Sequence, residues 1–176
     1  MRGSPPLPLI MPKTTTAPPS LDPTSMAAPD ESPVDALRLR ADALYRCAVE
    51  CARQHERLAR LMDQELTPTE QRISAEVVAL CDQALTEISG DYERCGARVH
   101  PTGDDEQWWR KANALWQAGR EYLRRHRLSD LIGRRASDQN PEKFGELQMD
   151  YELEASALLA LQQAIGAYRK ARPGLE

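Results

Sequence analysis

Thirteen prolines divide this chain of 176 residues into one proline-rich segment and four long segments that lack proline. Nine of the prolines lie before residue 34, and the others are Pro68, Pro101, Pro141 and Pro173. Proline has no backbone N–H and breaks the interior of a helix, so long helices fit only between these positions. The spacing predicts four helices of similar length, at residues near 34–66, 68–99, 103–132 and 141–172.

The segment before residue 34 mixes proline with serine and threonine and holds few large apolar side chains. Such a segment cannot bury enough apolar surface to offset the entropy cost of ordering it. We predict a disordered tail over residues 1–33 and a folded domain over residues 34–176. The tail is interpreted either as a dispensable leader or as a flexible tether that carries a proline-rich docking peptide.

The last three predicted helices are each preceded by residues that favour a helix start. Thr67, Pro68 and Glu70 match a capping box with proline at the first helical position. Thr102 and Asn140 stand at the equivalent places before the next two helices. These signals support the division of the chain that the prolines indicate.

Apolar residues recur at alternating steps of three and four along all four segments, which is typical of helices that pack at about 20°. The content of alanine and leucine, with only 5% aromatic residues, favours helix over strand. Helices of equal length with short connections predict an all-α fold, an antiparallel up-down-up-down four-helix bundle. Gly90 is the weakest point of the second helix, where a kink or a break would fall.

Composition narrows the classes of function. No apolar run approaches the ~20 residues that span a bilayer, and prolines interrupt the apolar stretch near the N-terminus. We therefore expect a cytoplasmic protein whose four cysteines are thiols or ligands rather than disulfides. The sequence has no glycine-rich phosphate loop and no nucleophile motif, which disfavours an enzyme. Frequent arginine and alanine point to a bacterial source.

Cysteine, histidine and glutamate occur within the apolar stripes near the middle of the predicted bundle. The turn positions place Cys51 level with about residue 82 and Glu154 level with about residue 118. One central layer then holds Cys47, Cys51, Cys81, Glu121 and Glu154, with His55 one helical turn away. Thiolates with a histidine or a carboxylate from facing helices are typical ligands of zinc or copper. The sequence predicts a site for a single zinc or copper ion, or a redox-sensing layer. The alternative is that the cysteines are ordinary core residues and that no cofactor binds.

The third predicted helix is basic and rich in tryptophan. Residues 106–135 carry eight lysines and arginines against three acidic residues, in a chain of net charge −4. Tryptophan and arginine are enriched at the centres of protein interfaces, and together they also bind phosphates and stack on bases. We call the candidate partner-binding residues the Trp/Arg face: Trp108, Trp109, Trp116, Arg120, Arg124 and Arg127. The alternative is that the tryptophans cover the edge of the core while the arginines pair with acidic neighbouring helices.

These patterns favour a non-enzymatic interaction or adaptor module that presents the Trp/Arg face to a protein partner or to a second copy of itself. The second hypothesis is a metal-binding or redox-sensing bundle. The third is contact with nucleic acid through the third helix, which the negative net charge of the chain disfavours.

Overall fold

The computed structural model describes residues 32–62, 66–136 and 143–175 of the chain. These residues form four helices, α1 (Pro33–Met62), α2 (Pro68–Gly96), α3 (Asp105–Ala136) and α4 (Lys143–Ala171), and no strand occurs among them. The predicted all-α, four-helix class is confirmed. The tail predicted over residues 1–33 lies outside the described residues, apart from its last two.

Helix α1 begins at Pro33, one residue before the predicted start near residue 34. Pro33 occupies its first turn, and the hydroxyl of Ser32 accepts a hydrogen bond from the N–H of Val34 at 3.3 Å. Proline at this position costs nothing, since the N–H that it lacks would have no partner inside the helix. A serine cap followed by proline therefore starts α1, as a threonine cap followed by proline starts α2.

The capping box of α2 forms as predicted. The N–H of Glu70 donates to the Thr67 hydroxyl at 3.3 Å, and the N–H of Thr67 donates to the Glu70 carboxylate at 2.9 Å. The helix then runs without a break through Gly90 to Gly96. It ends three residues before the predicted limit, because the chain turns there and the N–H of Val99 bonds to the carbonyl of Gly96 at 3.2 Å.

The helices pair as two hairpins. Helix α1 packs most extensively on α2, and α3 packs most extensively on α4, while smaller contacts join α1 to α4, α2 to α3 and α1 to α3. Leu37 near the start of α1 lies beside Gly96 at the end of α2, and His55 lies beside Asp82. From the first of these contacts to the second, the residue number increases along α1 and decreases along α2. The two helices are therefore antiparallel. No helix of the described chain is long and apolar enough to cross a membrane.

The core is built from leucine, alanine and tyrosine. Leu44, Leu85, Leu115 and Leu161 have no exposed surface and meet between the four helices, and Gly119 lies against two of them. Small residues at such positions let helices approach closely, and the large ones fill the remaining volume.

A buried carboxylate joins the first helix to the last. Asp42 accepts a hydrogen bond from the Tyr168 hydroxyl at 2.6 Å. It also accepts two from the Arg172 guanidinium, at 3.2 Å from Nε and 2.6 Å from Nη2. A buried charge is tolerated where it is fully hydrogen-bonded and paired, as Asp42 is here.

Candidate metal centre in the bundle core

Polar side chains from all four helices meet in the middle of the bundle. We call them the polar core cluster: Cys51 and His55 from α1, Asp82 from α2, Tyr122 and His126 from α3, and Glu154 from α4. Their helix positions follow the inward stripes of the bundle. The sequence thus places several groups able to bind protons or metal together in the interior, where each must find hydrogen-bond or metal partners.

Asp82 is the centre of the half of the cluster that α1 and α2 build. Its Oδ1 atom lies 2.9 Å from Nε2 of His55 and accepts a hydrogen bond from the Cys51 thiol at 3.4 Å. Cys51 has no exposed surface, and His55 and Asp82 are 7% and 8% exposed. This half of the cluster is therefore shielded from solvent.

Helices α3 and α4 supply the other half of the cluster. Nε2 of His126 lies 3.4 Å from Oδ2 of Asp82, and its Nδ1 lies 2.6 Å from Oε1 of Glu154. The rings of His55 and His126 stand edge to face, with centroids 4.5 Å apart. A carboxylate, an imidazole, a second carboxylate and a second imidazole thus form one continuous chain across the bundle, from Glu154 to His55.

The charges of His126 and Glu154 support each other. Burial opposes the charged form of His126, but the hydrogen bond to Glu154 and the nearby carboxylates outweigh it, and the pKa of His126 is raised. Burial likewise opposes the charged form of Glu154, but the His126 hydrogen bond outweighs it, and the pKa of Glu154 is lowered. Burial first and the charge of Asp82 second raise the pKa of the Cys51 thiol. The cysteine is therefore a protonated hydrogen-bond donor near neutral pH.

Tyr122 packs against both imidazole rings of the cluster. Its ring lies edge-on to His55 at 5.0 Å and is stacked on His126 at 6.0 Å between centroids. The side chain is fully buried, and its hydroxyl has no hydrogen-bond partner among the described residues. Burial first and the carboxylates of Asp82 and Glu154 next raise the pKa of Tyr122. An unpartnered buried hydroxyl normally costs about 1–3 kcal/mol.

The cluster contains two overlapping groups with the spacing of metal ligands. One is Cys51, His55 and Asp82, and the other is His55, His126 and Glu154, and in each group the candidate ligand atoms all lie within 4.8 Å of one another. His55 belongs to both groups. Imidazole nitrogen, carboxylate oxygen and a thiol together form a donor set that suits zinc.

The structure brings together three of the five residues predicted as metal ligands, Cys51, His55 and Glu154. Cys47 and Cys81 are half-buried beside the core and belong to neither group. Burial first and the neighbouring Cys81 second raise the pKa of Cys47 to about 11.

Sequence reasoning missed three members of the cluster, Asp82, Tyr122 and His126. His126 follows Tyr122 by four residues, which places both on one face of α3, and that spacing is the signal that could have identified it. Asp82 follows Cys81, and a stripe drawn one residue later along α2 would have included it. The buried residues of that helix are Val78, Asp82, Leu85, Ser89 and Tyr92.

Only some of the residues of the Trp/Arg face are exposed at the protein surface. Trp108 is 4% exposed and lies in the core, where its indole N–H donates to Asp105 at 2.8 Å and the Arg38 guanidinium lies 5.4 Å from its ring centre. The prediction that Trp108 is available to a partner is corrected, because its ring is packed between α1 and α3. Trp109 and Trp116 are half-buried at the edge of the core.

The arginines of the Trp/Arg face are engaged to different degrees. Arg124 donates to Glu121 through Nε at 2.8 Å and through Nη2 at 2.7 Å. Arg120 reaches Glu93 only at 3.4 Å, and its guanidinium lies over the Trp116 ring at 4.9 Å from the centroid. Arg127 donates to the Thr86 hydroxyl at 2.8 Å.

Comparison of the chain with protein families, with curated proteins and with solved structures finds no match.

Proposed function

We propose that this protein binds a zinc ion in the core of its four-helix bundle. The ligands are Cys51, His55, Asp82 and His126, and Glu154 holds His126 in position through Nδ1. The observation that carries the proposal is that Cys51, His55 and Asp82 hold their ligand atoms within 4.8 Å of one another, and that Nε2 of His126 lies 3.4 Å from the same Asp82 carboxylate.

The donor set supports zinc over harder ions. Magnesium and calcium take oxygen ligands, whereas zinc is bound by histidine nitrogen, cysteine sulfur and carboxylate oxygen, usually four of them in a tetrahedron. The polar core cluster offers one thiol, two imidazoles and one carboxylate before Glu154 is counted. Copper is the competing ion, since it also binds imidazole and thiol ligands.

Glu154 fits the role of a supporting residue rather than a ligand. Its oxygen lies 2.6 Å from Nδ1 of His126, which leaves Nε2 of the same ring to face Asp82. Metal-bound histidines commonly donate their second N–H to a carboxylate in this way, and that bond fixes the tautomer and the ring orientation. A zinc ion at Nε2 would keep the Glu154 hydrogen bond intact.

Binding would replace hydrogen bonds within the cluster by bonds to the metal. Because an ionised carboxylate only accepts, the Cys51 thiol and Nε2 of His55 each direct a proton at Asp82. Zinc would displace the proton of the Cys51 thiol, while the proton at Nε2 of His55 would move to Nδ1 of the same ring. Zinc uptake would therefore release the thiol proton, and the zinc affinity should rise with pH. Four protein ligands in a shielded core form a closed site, which is typical of structural rather than catalytic zinc.

The test is the metal content and the zinc affinity of untagged, full-length protein. Elemental mass spectrometry on natively purified protein should find about one equivalent of zinc, and calorimetry on chelator-treated protein should give one-to-one binding. Replacement of zinc by cobalt should produce the charge-transfer absorption of a cobalt–thiolate bond. At zinc concentrations about 100 times the Kd, the free energy of unfolding should rise by about 2.7 kcal/mol.

Matched substitutions separate the cluster from other cysteines and histidines. Cys51→Ser should remove the cobalt–thiolate absorption, and His55→Gln should abolish one-to-one binding. Cys95→Ser and His100→Gln change the same residue types outside the cluster and should bind zinc as the unaltered protein does. Zinc affinity that is the same in Cys51→Ser, His55→Gln and the two control variants would refute the proposal.

The interaction and nucleic-acid hypotheses stay predictions. Both hypotheses depend on the Trp/Arg face. Trp108 is packed in the core and Arg124 is hydrogen-bonded to Glu121, so the part of this face that is available to a partner is smaller than predicted. Zinc binding takes precedence because it explains buried polar groups that a partner-binding surface leaves without a role.

A further inference from the structure

An open groove runs between α2 and α3 on the outside of the bundle. Its volume is about 780 Å³, within the range of about 300–1,000 Å³ that is typical of small-molecule sites. Trp116 and the leucines at 123 and 128 form its apolar part, and Arg120 and Arg127 lie at its edge. This groove is separate from the polar core cluster, so a ligand in the groove would bind whether or not the cluster holds zinc.

Two buried polar groups in the groove lack partners. Ser89 is 4% exposed, and its hydroxyl has no hydrogen-bond partner among the described residues. The indole N–H of Trp116 is buried without a partner in the same part of the chain. Both side chains line the groove. A tryptophan N–H can only donate, so the missing partner of Trp116 is a hydrogen-bond acceptor.

The charges along the groove favour a small anion. Arg120 is held over the Trp116 ring and reaches its nearest carboxylate, Glu93, only at 3.4 Å. Arg127 is bonded to a neutral hydroxyl, that of Thr86. Both guanidinium groups therefore keep donors that an anionic group could engage, and such charge-assisted bonds are about twice as strong as neutral ones.

We infer that the groove binds a small amphipathic anion, an apolar ring system that carries one carboxylate or phosphate. The apolar body would pack on Trp116, and the anionic head would bind Arg120 and Arg127. Glu93 and Glu121 also line the groove, so a single anionic group fits there while a polyanion such as nucleic acid meets repulsion.

The experiment follows the indole N–H signals of full-length, ¹⁵N-labelled protein by NMR. Three probes share a naphthalene ring: 2-naphthoate, 2-naphthyl phosphate and the neutral 2-naphthylmethanol. At least one of the two anions should shift the Trp116 signal, which the Trp116→Phe variant assigns, and the alcohol should bind at least about tenfold more weakly. The two anions together tell which head group the site prefers.

Paired variants test the proposed contacts. Arg120→Gln should weaken binding of the preferred anion about tenfold, because it removes a charge-assisted contact. Arg110→Gln removes an arginine of α3 that pairs with Glu106 outside the groove, and it should leave the affinity unchanged. Arg120 is exposed, so its variant should keep the fold, which circular dichroism would verify.

Three results would overturn the inference. They are a Trp116 signal that neither anion moves, equal affinity for the alcohol and the anions, and equal losses in Arg120→Gln and Arg110→Gln. An acidic peptide or a single-stranded oligonucleotide that shifts the Trp116 signal when both naphthyl anions fail would assign the groove to a macromolecule and would also overturn it.

Discussion

Nδ1 of His126 lies 2.6 Å from Oε1 of Glu154, so one side chain of α3 and one of α4 are fixed against each other. The His126 ring is also stacked on Tyr122 and stands across the His55 ring. Three neighbours thus determine its orientation. An imidazole that is held in this way presents Nε2 to the centre of the polar core cluster without a further loss of side-chain freedom on binding.

The Glu154→Gln substitution should weaken zinc binding by about 10–100-fold and leave one-to-one binding intact, since it removes a supporting carboxylate and no ligand. Competition with a chromophoric chelator would measure the affinity. Glu152→Gln, on the exposed side of α4, is the matched control and should bind as the unaltered protein does. A Glu154→Gln protein that lost zinc as completely as His126→Gln would show instead that Glu154 is a direct ligand.

Removal of the Tyr168 hydroxyl should destabilise the fold. Tyr168→Phe deletes a 2.6 Å hydrogen bond to the buried Asp42 carboxylate, and bonds to charged groups contribute about 1.5–3 kcal/mol. Urea unfolding followed by circular dichroism should show a loss of about 2 kcal/mol. Tyr151→Phe makes the same change at a tyrosine that is 52% exposed and should stay within about 0.5 kcal/mol. Equal losses in both variants would mean that the Asp42 bond adds nothing.

Glu121 should stay ionised at a pH well below the ordinary pKa of a glutamate. Hydrogen bonds from Arg124 and Arg125 lower the pKa of Glu121 to about 2. A lowered pKa in the folded state means that the stabilisation is complete above the unfolded pKa of about 4.3 and disappears as the pH falls through about 2. A carboxyl ¹³C NMR titration should place the Glu121 midpoint near the lower value, and Arg124→Gln should raise it. A midpoint in the ordinary range would rule out the pairing with the two arginines in solution.

Two glycines should respond to alanine in opposite ways. A Cβ at Gly119 would lie 3.9 Å from the Leu85 methyl groups, an ordinary contact, so Gly119→Ala should raise the free energy of unfolding by about 0.5–1 kcal/mol through helix propensity. Gly103 has φ +66°, where a side chain is strained, so Gly103→Ala should lower it by about 1 kcal/mol. Thermal unfolding measures both. Destabilisation by Gly119→Ala would mean that α3 packs more tightly at this point than the 3.9 Å contact indicates.

Much of the fold is predictable from the sequence, because prolines and caps are local signals. Pro68 and the Thr67 capping box mark the start of α2 to the residue. Helix ends are less well marked. Helix α3 continues to Ala136, four residues beyond the predicted limit, and the partner of Glu154 is consequently His126 rather than a residue nearer to 118. An error in the predicted end of one helix thus changes which residues of the next helix are expected to lie beside it.

The polar core cluster is predictable only in part, for a different reason. The turn positions correctly place Cys51 level with residue 82, but an apolar stripe can be drawn through Cys81 as readily as through Asp82. The apolar residues of a helix can be spaced by three and then four positions, or by four and then three. Which of two neighbouring residues points into the core therefore depends on how the helix is rotated about its own axis. Packing against three neighbouring helices determines that rotation, and no local sequence signal reports it.

The Asp42–Tyr168 contact has a consequence for how the chain reaches its fold. Its two residues are 126 positions apart, whereas α1 and α2 follow each other directly in the chain. Contacts so distant in sequence form slowly, because a long loop must close before they are made. During synthesis, the first hairpin is complete well before α4 exists. In that interval, Asp42 lacks its partners and the apolar side of the hairpin is exposed to chaperones and to other nascent chains.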